Sequence, residues 1–130
     1  MVDPPDAEQL DPAAFEEFLA RSRSGDDGPV VMLNLIALQA DGGFERYGLY
    51  GEAVAPILER IGAEVLFSGA GGAALIGSEQ RWDLVLLVQY PSRAAFLGMI
   101  GSPEYQAIAH LRTEAITASE LRPLDAGPRV

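Results

Sequence analysis

A handful of side chains carries most of the chemistry this sequence offers. His110 is its only histidine, the one side chain whose unperturbed pKa lies near neutrality, and so a candidate general base or haem ligand. It falls one residue beyond the stripe of Tyr105 and Ala109, which predicts an edge or partly exposed position. Asn34 interrupts the apolar run VVMLNLIAL. A buried amide costs free energy unless it is hydrogen-bonded, so Asn34 serves either a ligand or an internal bond. Arg112 shares a helical face with Tyr105; it can hold an anionic group bidentately or pair with Glu104 or Glu114. Tyr50 and Tyr105 offer ring surface with a hydroxyl at its edge. Trp82 and Tyr90 share strand parity with Leu84, Leu86 and Val88, and form either an aromatic wall or ordinary core.

Other chemistries are excluded by composition or spacing. The 130 residues contain no Cys and no Lys, which removes thiolate nucleophiles, cysteine metal sites, Schiff-base lysines and the phosphate-loop lysine. One His leaves no site built on several imidazoles, and no metal or cofactor is expected. Glu45, Glu52 and Glu59 recur every seven residues, about 10 Å per step along a helix, too far apart to chelate together; they read as a solvated face. Gly69-Ala70-Gly71-Gly72-Ala73-Ala74 matches G-x-G-x-x-G/A in letters only. The dinucleotide fingerprint needs a long helix opening at once and an acid about twenty residues on, whereas Gly77 follows closely and Ser92-Arg93-Ala94 stands in the acid's place. A serine–histidine–acid triad lacks a nucleophile-elbow motif.

The net charge of −10 opposes binding to phosphate backbones and to anionic membrane surfaces, so neither nucleic acid nor membrane is an expected partner. Eight acids and two arginines of this balance lie in the first 28 residues. No apolar run approaches the roughly 20 residues of a membrane span. The opening Met1-Val2-Asp3-Pro4-Pro5-Asp6 is acidic and proline-rich, the reverse of a signal peptide, so the expected location is cytoplasmic.

Stepping along the chain, residues 1–28 read as an acidic leader with a short helix and a linker, 29–124 as the main domain and 125–130 as a tail. Asp11-Pro12 starts the short helix, with Phe15, Phe18 and Leu19 on one face. Val30 to Leu38 is a strand apolar on both alternating sets, so both its faces should be covered. A helix from about Phe44 to Ile61 follows, with a stripe of Tyr47, Gly51, Val54, Leu58 and Ile61 flanked by Tyr50 and Ile57; Pro56 should kink or split it. Glu64 to Ser68 and Ala73 to Ile76 are short strand candidates around Gly69–Gly72, forming one bulged strand or a hairpin. Trp82 to Tyr90 is the next strand, again apolar on both faces at its centre. A helix capped by Ser92 runs to about Ile100, and Ser102-Pro103 starts another. The last strand is expected near Ile116 to Leu121.

The resulting order, β-α-β-β-α(α)-β, is the ferredoxin-like split motif, an α+β protomer with an antiparallel sheet and helices on one face. One-sided helices leave the second face of two doubly apolar strands bare. A second copy of the same sheet is the economical cover, which predicts a homodimer joined through the sheet face.

Four stretches also carry a family resemblance: the strand VVMLN, the helix RYGLYGEAVAPILERIG, the strand–turn YPSRAAF, and Ser102-Pro103-Glu104-Tyr105 with Arg112 seven residues beyond. Together they resemble the bacterial family known as domain of unknown function 1330, in the dimeric α/β-barrel superfamily. The resemblance implies a protomer whose sheet packs on its mate's to close a barrel, with Asn34 projecting into the barrel interior to orient a ligand carbonyl. The superfamily includes cofactor-free monooxygenases, muconolactone isomerases and haem-binding relatives, while the family itself implies no general activity. Three functions are therefore weighed. The first is a small-molecule binding protein with an apolar pocket between sheet and helices. The second is a cofactor-independent monooxygenase or isomerase acting on an aromatic or ketone substrate, and the third is a non-catalytic dimeric module. The expected pocket residues are Asn34, Tyr50, Tyr105 and Arg112, joined by His110 as a base only if its ring turns inward.

Overall fold

The computed structural model describes residues 10–125. Along them lie α1 (Pro12–Arg23), β1 (Val30–Leu38), α2 (Gly43–Arg60), β2 (Glu64–Ala70), β3 (Leu84–Tyr90), α3 (Arg93–Ile100), α4 (Pro103–Gln106), α5 (Ala109–Ala115) and β4 (Ile116–Asp125). The strands form one sheet in the order β2-β3-β1-β4, with β1 antiparallel to β3 and β4, and β2 antiparallel to β3. This is the ferredoxin-like α+β arrangement expected from the order of elements. No helix among the described residues is long and apolar enough to cross a membrane.

Local signals place the helix starts. Asp11 accepts hydrogen bonds from the amides of Ala13 and Ala14, Ser92 from that of Ala95 and Ser102 from that of Tyr105, so each cap satisfies an otherwise unpaired donor. Pro56 neither splits nor ends α2, which runs unbroken through it. Both Pro56 and Glu52, whose carbonyl loses its partner, are exposed, so water can take the orphaned acceptor.

Packing between sheet and helices forms the core. Val30, Met32, Val88 and Tyr90 from the sheet meet Phe18, Ile57, Phe96 and Met99 from the helices, and Ile36, Ala115 and Ile116 form a second cluster. Alternation then directs Val31, Leu33, Leu35, Val85 and Leu87 to the opposite, helix-free face, where they are only half-buried. Phe67 joins them, 53% exposed.

The glycine-rich segment forms neither a bulged strand nor a hairpin of its own: it leaves the end of β2 and enters a long connection to β3. Gly71 N–H donates to the Asp83 carbonyl at 3.1 Å and Trp82 N–H to the Gly72 carbonyl at 3.2 Å, extending the pairing of β2 with β3. Ala73 to Ile76 is no strand but part of the exposed connection, so that expectation is corrected, and β3 begins at Leu84 rather than Trp82. The register shift lies instead between Val65 and Phe67, leaving Leu66 as the extra residue. Two residues opposing one reverse the alternation, so Val65 faces the helices while Phe67 turns to the bare face. A Cβ on Gly69 would stand 2.8 Å from the tip of the exposed Phe67 ring, which would have to turn aside.

Asp125 is not tail. β4 continues past Leu121 to Asp125, paired along β1 as far as Val30, and tolerates Pro123 because it is an edge strand. Asp125 receives Arg21 at 2.8 Å and the buried Arg93 at 2.9 Å, while Arg21 also lies 3.2 Å from Asp26. The Arg93 guanidinium covers the Phe18 ring at 5.4 Å, and Asp27 accepts from the Arg93 amide at 2.5 Å. Helix α1 is thereby fastened to the domain. Hydrogen bonds from Arg21 and Arg93 lower the Asp125 pKa to about 2. A carboxylate whose folded pKa is depressed contributes stability above its unfolded value near 4 and loses it as pH falls toward 2. Melting curves of the parent and Asp125→Asn proteins should therefore differ at pH 6 and converge below pH 2; a constant gap across that range contradicts the linkage.

Candidate functional site

A cavity of about 170 Å³ opens between α2 and the sheet. Strand β1 contributes Asn34 to it, β2 contributes Val65, and β3 contributes Leu86, Val88 and Tyr90; α2 closes it with Tyr47, Tyr50, Gly51, Val54, Ala55 and Leu58. The lining is mostly apolar with a few polar groups, the usual make-up of a small-molecule site.

Asn34 shares strand parity with Met32 and Ile36, both packed against helices, so it lies on the helix-covered face. This corrects the expectation that Asn34 projects into a barrel interior between two sheets. Its Nδ2 donates to the carbonyl of Met32 at 3.2 Å. The amide makes an internal bond and also borders the cavity.

All four tyrosines of the chain gather here. Tyr47 and Tyr50, one turn apart on α2, have ring centroids 5.5 Å apart, and Tyr50 meets Tyr105 edge-on at 6.2 Å. The hydroxyls of Tyr50 and Tyr105 are 2.9 Å apart and share a hydrogen bond. Tyr90 lies in the core and lines the same cavity. Burial, first, and the neighbouring tyrosines raise the pKa values of Tyr50 and Tyr90, so both phenols stay protonated and act as neutral donors. The Arg112 guanidinium on α5 acts in the opposite direction on both, which places a positive charge near this cluster.

Asn34 and Tyr50 therefore open into one cavity, whereas Tyr105, bonded to the Tyr50 hydroxyl, and Arg112, near the tyrosines, do not line its wall. Glu104, proposed as one partner for Arg112, is engaged by Arg60 at 2.6 Å. His110 is exposed and contributes nothing to the lining. Trp82 is half-buried in the connection before β3, outside the cavity. Sequence patterning missed Tyr47 and Gly51 as lining residues, because both sat inside a stripe read as plain core. The signal was present: Tyr47, Tyr50, Gly51 and Val54 follow helical spacing. Among the described residues no group of three or more His, Asp or Glu side chains could hold a metal ion.

Several solved structures share this architecture. RPA0582, a protein of unknown function from Rhodopseudomonas palustris, is 33% identical over 95% of this chain and 99% of its own, with a TM-score of 0.78. A dimeric protein of unknown function and ferredoxin-like fold from Bacteroides fragilis matches over 76% of this chain and 97% of its own, at 14% identity and TM-score 0.53. A Bacteroides thetaiotaomicron protein provisionally named an antibiotic biosynthesis monooxygenase matches over 79% and 91%, at 20% identity and TM-score 0.53. At these lower identities only the fold is shared. No curated protein matches. The pattern of one family, described as Domain of unknown function (DUF1330), covers residues 42–121, which takes in α2, the tyrosine cluster and most of the sheet, and the chain belongs to that family.

Proposed function

We propose that this protein is a homodimeric binding protein for a small organic molecule, held in the cavity between α2 and the sheet. The observation that carries the reading is that Asn34 and the three tyrosines Tyr47, Tyr50 and Tyr90 line one otherwise apolar cavity. A purely structural module has no need of an open space lined by an amide and phenols in its core, where close packing would be more stable.

Binding is preferred to proton-abstracting catalysis because the lining, among the described residues, holds no carboxylate or imidazole. Its buried phenols stay protonated at neutral pH, so they supply hydrogen bonds rather than a base. The dimer rests on the bare sheet face, where Leu33 and Leu87 lie opposite one another at the centre of β1 and β3. The dimeric relative from Bacteroides fragilis shares the fold and supports the same assembly.

A nuclear magnetic resonance screen of small aromatic and alicyclic compounds tests the binding reading. Ligands should shift the amide resonances of Gly51, Val54 and Val88 around the cavity and leave those of α1 unmoved. A broad screen that shifts none of the cavity resonances would refute it.

A further inference from the structure

We infer that the cavity takes a neutral, single-ring molecule bearing a hydroxyl or amine that donates to Asn34 Oδ1, admitted past the gap left by Gly51. The inference rests on the binding reading above and specifies its ligand. Size comes first. An apolar cavity of 150 Å³ accommodates benzene. At about 170 Å³ the cavity matches one ring and a small substituent, and a fused bicyclic ligand would extend beyond it.

Polarity comes second. The Met32 carbonyl can only accept, so the amide of Asn34 must turn its nitrogen toward it, as the 3.2 Å bond shows. That leaves Oδ1, which takes no hydrogen bond among the described residues, as the acceptor a ligand meets. A hydroxyl or amine matches it; an ether, aldehyde or carboxylate oxygen does not. No charged side chain lines the wall, so desolvating an ionised ligand would find no direct ion pair there. The flanking rings of Tyr47, Tyr50 and Tyr90 offer aromatic faces and edges to a flat molecule.

Access comes third. Gly51 is an exposed residue in the middle of α2, and a Cβ built on it meets nothing within 4 Å. Gly43, by contrast, is held to glycine by the Ala115 carbonyl, 2.8 Å from where its Cβ would stand. Glycine is the poorest helix former after proline. No close packing explains it at position 51, where a side chain would narrow the mouth of the cavity.

Titrations followed by nuclear magnetic resonance test the proposal with phenol, anisole, toluene, benzaldehyde, benzoate and 1-naphthol. Phenol should bind about tenfold tighter than anisole or toluene, the size of one hydrogen bond to a neutral acceptor. Asn34→Leu should weaken phenol about tenfold while leaving toluene unchanged, which separates loss of the acceptor from loss of the fold. Gly51→Leu should weaken phenol and toluene alike by at least tenfold, whereas Gly48→Leu, at another open helix glycine outside the lining, should leave both unchanged. If toluene, 1-naphthol or benzoate binds as tightly as phenol, this ligand class is wrong and the binding reading stands. If none of the six shifts a cavity resonance, this inference falls, and the broad screen decides whether the binding reading falls with it.

Discussion

Light scattering of the Leu33→Asp protein should return a single protomer mass, where the parent returns twice 13.9 kDa. Leu33 sits at the centre of the bare sheet face, opposite Leu87 on β3 and Arg122 on β4. Two-fold symmetry brings the substitution in from both copies. Each buried carboxylate costs roughly 3 kcal/mol after relaxation, so the pair should weaken the dimer by about four orders of magnitude. The protomer's own core lies on the other side of the sheet, so its melting transition should survive as that of a folded monomer. A parent protein that is monomeric at micromolar concentration would end the dimer proposal. An unchanged mass for Leu33→Asp would move the interface elsewhere.

Replacing Phe18 by Ala should lower the melting temperature by roughly 10–20 °C, from a loss of about 3–5 kcal/mol. Phe18 is the one residue of α1 that is buried, 7% exposed, and it packs edge-on against Phe96 at 5.7 Å under the Arg93 guanidinium. The helix looks like a detachable leader in the sequence, yet its phenylalanine belongs to the same cluster as Val30, Met32 and Met99. Differential scanning calorimetry measures the loss, and hydrogen exchange shows whether α1 opens separately. A shift of only two or three degrees would mean that α1 is an appendage after all.

Much of this molecule was legible one-dimensionally. Asp11-Pro12, Ser92 and Ser102-Pro103 are caps whose chemistry is local, and the helices begin where those residues stand. The order of strands and helices follows from periodicity, and the fold follows from the order because few topologies satisfy it. The candidate side chains Asn34, Tyr50 and Tyr105 were readable too, as polar or amphipathic groups on apolar faces. The split motif brings β1, α2 and the segment after α3 together, so that Asn34 and Tyr50 border one cavity and Tyr105 reaches the Tyr50 hydroxyl.

The side of the sheet was different. Strand β1 is apolar on both alternating sets, so period two separates Asn34 from Leu33 without saying which of them meets the helices. Only packing decides that, and it places Asn34 under α2. The bulge at Leu66 was equally hidden, since EVLFSGA has no glycine at that point, yet it sends Val65 to the cavity and Phe67 to the bare face. At the end of β4, Asp125 meets Arg21 and Arg93, which lie 104 and 32 residues away along the chain. Local propensity fixes what a segment can become. Which face it buries, and which distant charge it meets, is decided by the rest of the fold.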